Sequence, residues 1–355
     1  MASLDLAGIR TIVVTGGAGF IGSHVVDDLL QACPMAEIRV LDAFTYAADM
    51  ANLDGALRSG RLTLRQGDVG NLDLVSDVLR GAELVVHAAG ESHVERALVA
   101  PERASLSNAI GTQVLVEAMA RHRVPLMVHL STAEVYGEAA AMPTETAPMR
   151  PDNPLGASKA AAEMLLAGLR PLHDLDIRVL RPVNVIGTRQ NAEKLVPRFL
   201  ELAAVGKPLT VHGNGNQRRA FLAVSDFCTA LRAVIARGDK NGVYNVAAPG
   251  SHSILDVARM VLDAVPDPVA GVVFGAGRPA NVTRSQVSTA ALEALGWRAE
   301  ATLLGEMKHL AGWYRGRLSP ASRTVFRTVP GLAPGRVAAA TQPAGSGLFR
   351  SLERH

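Results

Sequence analysis

The chain has 355 residues, 48% hydrophobic and 19% charged, enough for one large or two ordinary domains and unlike a mostly disordered polypeptide. Its formal charge of +3 comes from arginines scattered along the chain, and only 4% of residues are aromatic. With no basic stripe and no base-stacking platform, nucleic acid is not an expected partner.

The N-terminal "MASLDLAGIR" has an acid and no long apolar run, so no signal peptide is evident. No stretch approaches the roughly 18 apolar residues of a membrane span. Cys33 and Cys228 have neither metal-ligand nor disulfide-framework spacing and read as reduced core thiols. The histidines show no paired metal spacing. The expectation is a cytoplasmic protein without membrane partner or metal.

In chain order, "RTIVVTG" (10–16), "EIRVLD" (37–42), "LTLRQGD" (62–68), "ELVVHAA" (83–89) and "PLMVHLST" (125–132) read as buried strands. Their continuous apolar character suits a parallel sheet covered on both faces. Helical patterns lie between them at about 20–32, 71–80 and 100–122. A further helix begins in "PDNPLGASKAAAEMLL" (151–166), and a sixth strand, "DIRVLRPVNV" (176–185), follows it. Repeated strand–helix units predict an α/β fold, a Rossmann-type doubly wound parallel sheet with a smaller C-terminal substrate lobe.

Beyond residue 186 the pattern loosens. "AEKLVPRFLELAAVG" and "SILDVARMVLDAV" read as helices, and "PLTVHG" and "GVYNVAAP" as short strands. The expected organisation is an NAD-binding domain at 8–185, a mainly nucleotide-sugar-binding lobe at 186–317 with segments returning to the sheet, and an irregular tail at 318–355.

"VVTGGAGFIGSH" follows the first strand and opens the first helix. Gly17, Gly19 and Gly22 satisfy G-x-G-x-x-G, and Gly16, Gly19 and Gly22 satisfy G-x-x-G-x-x-G. Glycines there permit a tight turn and let a pyrophosphate approach the helix N-terminus. Asp42 ends the second strand, where a carboxylate accepts hydrogen bonds from the adenosine ribose and repels a 2′-phosphate. The expected cofactor is NAD.

On these residues, and on "GDV" (67–69), "HAAGESHVERA" (87–97), "NAIGT" (108–112), "STAEVYGE" (131–138), "ASKAAAE" (157–163), "RPVNVIG" (181–187), "EKLVPRF" (193–199) and "VYNV" (243–246), the chain resembles the extended short-chain dehydrogenase/reductases acting on nucleotide sugars. It is most similar to the dTDP-glucose 4,6-dehydratases, over about residues 9–316. The resemblance implies cofactor contacts at Gly16, Gly19, Phe20, Ile21, Gly22, Asp42, Asp68, Val69, Ala89 and Lys159. It implies substrate contacts at Ser92, Asn184, Lys194, Leu195, Arg219 and Arg278, and a homodimer packed through the 100–122 and 153–170 helices.

The family carries Y-x-x-x-K on one helix; Lys159 matches the lysine, one of five in the chain, but the tyrosine position is Leu155. The family also reads S-T-D-E-V-Y-G, in which the Asp protonates the departing 6-hydroxyl and the Glu removes the C5 proton. Thr132 and Glu134 match, and the Asp position is Ala133. Ala220 and the "TVHG" and "RPANV" segments depart further in the substrate lobe. Expected catalytic residues are Glu134, Thr132, Lys159 and His93, the last as a spare acid/base. Tyr136 is expected to pack beside the cofactor. Two functions stay open: a nucleotide-sugar enzyme of the dehydratase/epimerase type with altered acid/base equipment, in deoxysugar or natural-product biosynthesis, or a catalytically degenerate homologue acting as partner or regulatory subunit.

Overall fold

A computed structural model of the chain describes residues 4–138, 142–265, 271–277 and 286–317. Five strands, β1 (Thr11–Thr15), β2 (Glu37–Asp42), β3 (Leu62–Gln66), β4 (Leu84–His87) and β5 (Leu126–Leu130), alternate with helices. The helices are α1 (Phe20–Ala32), α2 (Asp54–Arg58), α3 (Leu72–Leu79), α4 (Val94–Val99), α5 (Pro101–Ser105) and α6 (Gly111–His122). Then come α7 (Pro154–His173) and β6 (Asp176–Pro182). The sheet order is β3-β2-β1-β4-β5-β6 plus one later strand, all parallel. The order reverses between β1 and β4, so the crevice at their carboxyl ends is where a doubly wound sheet takes its ligand.

Alternation along each strand divides the core into two layers. Ile12, Val14, Val40, Val86, Val128 and Leu180 face one way and pack with Val25, Val26 and Leu29 of α1. Val13, Leu41, Val85, Met127, Ile177 and Val179 face the other way, against Val75 and Leu79 of α3, Leu115 and Met119 of α6, and Leu166 of α7. Both faces are covered, which is why these strands read as unbroken apolar runs.

Two details differ from the sequence expectation. The helix expected at 100–122 is interrupted by a π-helical turn, Leu106–Ile110, joining α5 to α6. The strand expected at 176–185 divides at Val183, just after Pro182, which has no N–H to give the ladder. Its second part, β7 (Asn184–Ile186), leaves the main sheet and pairs with β10 (Phe221–Ala223), which follows β8 (Leu209–His212) and β9 (Arg218–Arg219). Later in the chain β11 (Val243–Val246), the short strand read in "GVYNVAAP", pairs with β6 and completes the seven-stranded sheet.

The second half also contains α8 (Leu195–Ala204), α9 (Val224–Arg237), α10 (Ile254–Ala264), α11 (Ala290–Ala294) and α12 (Leu303–Arg317). Strands β12 (His252–Ser253) and β13 (Val272–Gly275) pair with β9 and β8. Among the described residues no helix is long and apolar enough to cross a membrane. The 318–355 tail lies outside the described residues.

Candidate active site

At the carboxyl end of β1 the chain turns at Gly16, whose φ of 70° favours glycine. Its N–H donates to the Leu41 carbonyl at 2.8 Å. A side chain there would put a carbon 2.7 Å from the Ala89 nitrogen, so this turn lies directly against the loop after β4. Gly19 is the N-cap of α1 and supplies no side-chain cap, and the first turn of the helix holds no acid. The first-turn N–H groups at Phe20, Ile21 and Gly22 therefore form a cradle suited to an anionic pyrophosphate. Gly22 lets the helix rest on the turn: a Cβ there would fall 2.0 Å from the Gly16 carbonyl oxygen. Gly22→Ala must separate helix and turn. The expected result is NAD affinity about 10–100-fold weaker by calorimetry, the scale of an overpacking strain of about 1–3 kcal/mol.

Asp42 ends β2 beside this cradle. Its Oδ2 accepts from the Ala18 N–H at 2.9 Å and its Oδ1 from the Phe44 N–H at 2.8 Å. Burial pushes its pKa up, and the two N–H donors oppose that. Each oxygen keeps a lone pair for a ribose hydroxyl. Asp68 and Val69 follow β3; Asp68 is exposed and accepts the Gly70 N–H at 2.7 Å, whereas Val69 is buried. Ala89 is half-buried and donates its N–H to Thr15 Oγ1 at 3.2 Å. These residues fit NAD: a glycine turn, an uncapped helix start and a carboxylate with lone pairs to spare lie together at the carboxyl ends of β1 and β2.

Behind the cradle runs a buried polar chain that the sequence did not single out. Thr112 donates its hydroxyl to the Asn108 carbonyl at 2.6 Å, which leaves its oxygen to accept from His87 Nε2 at 3.0 Å. His87 Nδ1 then accepts from the Thr15 hydroxyl at 2.7 Å, so the ring is the neutral Nε2–H tautomer. Burial pulls its pKa down to about 3, in agreement with that assignment. Asn108 sits in the π-turn and donates to Ser158 Oγ at 2.8 Å and to the Glu91 carbonyl at 3.2 Å. The one available signal was position: His87 ends a strand at the crevice.

Lys159, on α7, donates to the Leu130 carbonyl at 2.8 Å and is buried, 7% exposed. A Cβ at Gly90 would lie 3.3 Å from its Nζ, which places the ammonium beside the loop after β4. Burial lowers its pKa from 10.5 to about 8, with Glu163 opposing the shift. Since the folded form binds this proton less tightly, stability rises with pH between those two values. Accordingly, denaturant unfolding should show the wild type gaining stability relative to Lys159→Met from about pH 7 to about pH 10. A pH-independent difference contradicts this.

Asn153 caps α7 by accepting from the Gly156 N–H at 2.9 Å, and its Nδ2 donates to Glu134 Oε2 at 3.1 Å. Gly156 allows the first turn of α7 to touch the 3₁₀ turn Ala133–Tyr136, since a Cβ there would be 2.7 Å from the Glu134 carbonyl oxygen. Thr132 Oγ1 accepts the Glu134 N–H at 3.2 Å and fixes the start of that turn. Thr132 and Glu134 are both half-buried.

Leu155 is 6% exposed and packs with Val94, Ala97 and Ala104, closing an apolar cluster between α4, α5 and α7. Ala133 and Ala220 are buried as well. Tyr136 does not offer a free hydroxyl: it receives Arg181 Nη1 at 2.6 Å and donates to Asn245 Oδ1 at 2.8 Å.

On the substrate side, Lys194 caps α8 and its Nζ donates to the Ser92 carbonyl. Glu134, Glu95, Glu91 and Arg219 surround it electrostatically, and burial lowers its pKa against the three carboxylates. Leu195 opens α8. Asn184 donates to the Ala220 carbonyl at 3.1 Å and accepts from Arg219 at 3.5 Å. His93 is buried, its ring 3.3 Å from Glu95 and 3.9 Å from Glu193. Arg278 lies outside the described residues.

The model of the NAD dependent epimerase/dehydratase family matches residues 12–247. A low-salt glycan biosynthesis protein, Agl12 of Haloferax volcanii, is 36% identical, covering 86% of this chain and 98% of that protein. A dTDP-glucose 4,6-dehydratase of Streptomyces niveus is 34% identical, covering 86% and 92%. Among solved structures, the dTDP-glucose 4,6-dehydratase DesIV of Streptomyces venezuelae, crystallised with NAD, has a TM-score of 0.82 at 32% identity and covers 86% of this chain and 97% of its own. UDP-glucose 4-epimerase of Thermotoga maritima, with UDP-glucose, has a TM-score of 0.80 at 26% identity, covering 87% and 100%. With the glycine cradle, Asp42 and Lys159 gathered at one sheet edge, the chain belongs to the NAD-dependent epimerase/dehydratase family of enzymes acting on nucleotide sugars.

Proposed function

We propose that the protein is a cytoplasmic nucleotide-sugar enzyme that works at a sugar already carrying a 4-keto group, with Glu134 as the base for the C5 proton. The observation that carries this reading is the state of residue 155. Where the resemblance places a proton-accepting tyrosine, Leu155 is sealed in an apolar cluster with Val94, Ala97 and Ala104. Glu134 remains half-buried on the 3₁₀ turn that abuts the start of α7, oriented by Asn153. A ketone at C4 acidifies the adjacent C5–H, so a positioned carboxylate suffices to remove and return that proton.

The N-terminal part, 8–185, holds NAD through Gly16, Gly19, Phe20, Ile21, Gly22, Asp42, Asp68, Val69, Ala89 and Lys159. Bound NAD supplies a hydride acceptor. Lys159 holds positive charge beside it below about pH 8. The 186–317 lobe takes the nucleotide sugar, with Ser92 from the loop after β4, through Asn184, Lys194, Leu195, Arg219 and Arg278. Ala133 leaves no acid for a departing 6-hydroxyl, which favours epimerisation or proton exchange over water loss. Such chemistry suits deoxysugar or natural-product pathways.

The test is product mass. UDP- and dTDP-glucose with NAD, and the corresponding 4-keto-6-deoxy sugars in deuterated water, are each incubated with the purified protein. Deuterium uptake into a 4-keto sugar supports the proposal; loss of one water from a nucleotide glucose refutes it in favour of an ordinary dehydratase. Binding with neither reaction supports the second reading, a catalytically degenerate regulatory partner, whose basis is the replacement of family residues at Leu155, Ala133 and Ala220.

We also propose a homodimer. Val99 on α4 is 85% exposed, Leu106 in the π-turn 60% and Met164 on α7 68%, apolar side chains that a partner helix would cover. Wild-type protein at micromolar concentration is expected to sediment as a dimer, and Val99→Asp with Met164→Asp as a monomer. A monomeric wild type contradicts this.

A further inference from the structure

Tyr46, four residues past Asp42, connects parts of the site that are distant in sequence. Its hydroxyl donates to Glu91 Oε1, and that oxygen also accepts the Ser92 and His93 N–H groups at 2.8 Å each. The Tyr46 carbonyl accepts from Asn191 Nδ2 at 3.3 Å. The Arg96 guanidinium lies 3.6 Å over the Tyr46 ring and binds Glu193 with both prongs, at 2.9 and 2.5 Å. Asn191 Oδ1 accepts the Glu193 N–H at 2.9 Å, and the next residue, Lys194, reaches back to the Ser92 carbonyl. One closed set of contacts therefore ties the loop after β2, the loop after β4 and the segment entering α8.

Those three segments serve two ligands. The first continues from the carboxylate facing the adenosine ribose, and the third presents Lys194 and Leu195 to the nucleotide sugar. We infer that the Tyr46–Arg96–Glu193 clamp couples the two sites, so that seating NAD against the β2 loop orders the 191–195 segment for the sugar nucleotide. The inference rests on the two binding sites assigned above, but not on any catalytic step.

Arg96 and Glu193 side chains are each 42% exposed, so their ion pair adds little to global stability. Its bidentate, ring-stacked geometry instead fixes direction. Arg96 is thus a positioning residue, and its loss is expected to change the linkage between ligands more than the melting temperature.

The experiment is calorimetric titration of the full chain with UDP and with dTDP, each with and without saturating NAD. For wild type, NAD is expected to tighten nucleotide binding about fivefold or more, the usual scale of site–site coupling, and by linkage the nucleotide tightens NAD equally. In Arg96→Met, which retains an apolar contact for the Tyr46 ring, the factor is expected to fall to about one while the protein still melts cooperatively. Glu193→Gln gives the same reading should Arg96→Met fold poorly. An undiminished coupling factor in both folded variants, or none in wild type, overturns the inference and leaves the proposed function standing. Failure of both nucleotides to bind in saturating NAD overturns both.

Discussion

Glu134→Gln is expected to slow solvent-deuterium exchange at C5 of a 4-keto nucleotide sugar by about 10²–10⁴-fold, the usual contribution of a positioned general base. The substitution is nearly isosteric. A glutamine oxygen can still accept from Asn153 Nδ2, so the cap of α7 and the contact of Gly156 with the 3₁₀ turn should persist. What disappears is basicity. Affinity for NAD should change little, because the proposed role of Glu134 is at the sugar and it lies in the electrostatic neighbourhood of Lys194. Rates read by mass spectrometry and NAD affinity read by calorimetry separate the two. An unchanged exchange rate would move the base elsewhere; His93, held between Glu95 and Glu193, is the first residue to examine.

Arg181→Met is expected to destabilise the fold by about 3–5 kcal/mol, the range for a buried charge left without its partner. The Arg181 and Glu163 side chains are 6% and 5% exposed and are joined at 2.6 Å. Arg181 Nε lies 3.0 Å from the other Glu163 oxygen, and Ser131 donates to that same oxygen at 2.5 Å. Removing the guanidinium strands a carboxylate and takes a donor from Tyr136. Replacing both charges, Arg181→Met with Glu163→Leu, should recover much of the loss, since an apolar pair avoids the desolvation of two ions. Urea unfolding of the three proteins measures this, and a single-variant loss below about 1 kcal/mol contradicts the role given to the pair. The consequence reaches the site, because Glu163 lies one helical turn past Lys159 and Tyr136 shares a turn with Glu134.

This network shows where sequence reading ends. The hydroxyl of Tyr136 is held by Arg181 and Asn245, 45 and 109 residues away, a pairing no local spacing reveals. In contrast, β1, the glycine turn and α1 were legible because each depends on neighbours in sequence: a strand's apolar run, glycine at a positive φ, and a helix without a cap. The π-turn at Leu106–Ile110 was hidden because its composition is ordinary for a helix. Segments of the second half were expected to return to the sheet, but that β11 is the one and β6 its neighbour was hidden, because a four-residue apolar strand carries no mark of its partner. Leu155 could be read as a missing hydroxyl, but only its contacts with Val94, Ala97 and Ala104 show that the position is filled by packing.

The most direct measurement follows isotope and nicotinamide absorbance together, in deuterated water, with wild-type protein. UDP- or dTDP-4-keto-6-deoxyglucose should gain deuterium at C5 with no NADH signal, and nucleotide glucose should give neither NADH nor loss of water. Loss of water from nucleotide glucose, or absence of exchange from both keto sugars, would contradict Glu134-driven chemistry at a pre-oxidised sugar.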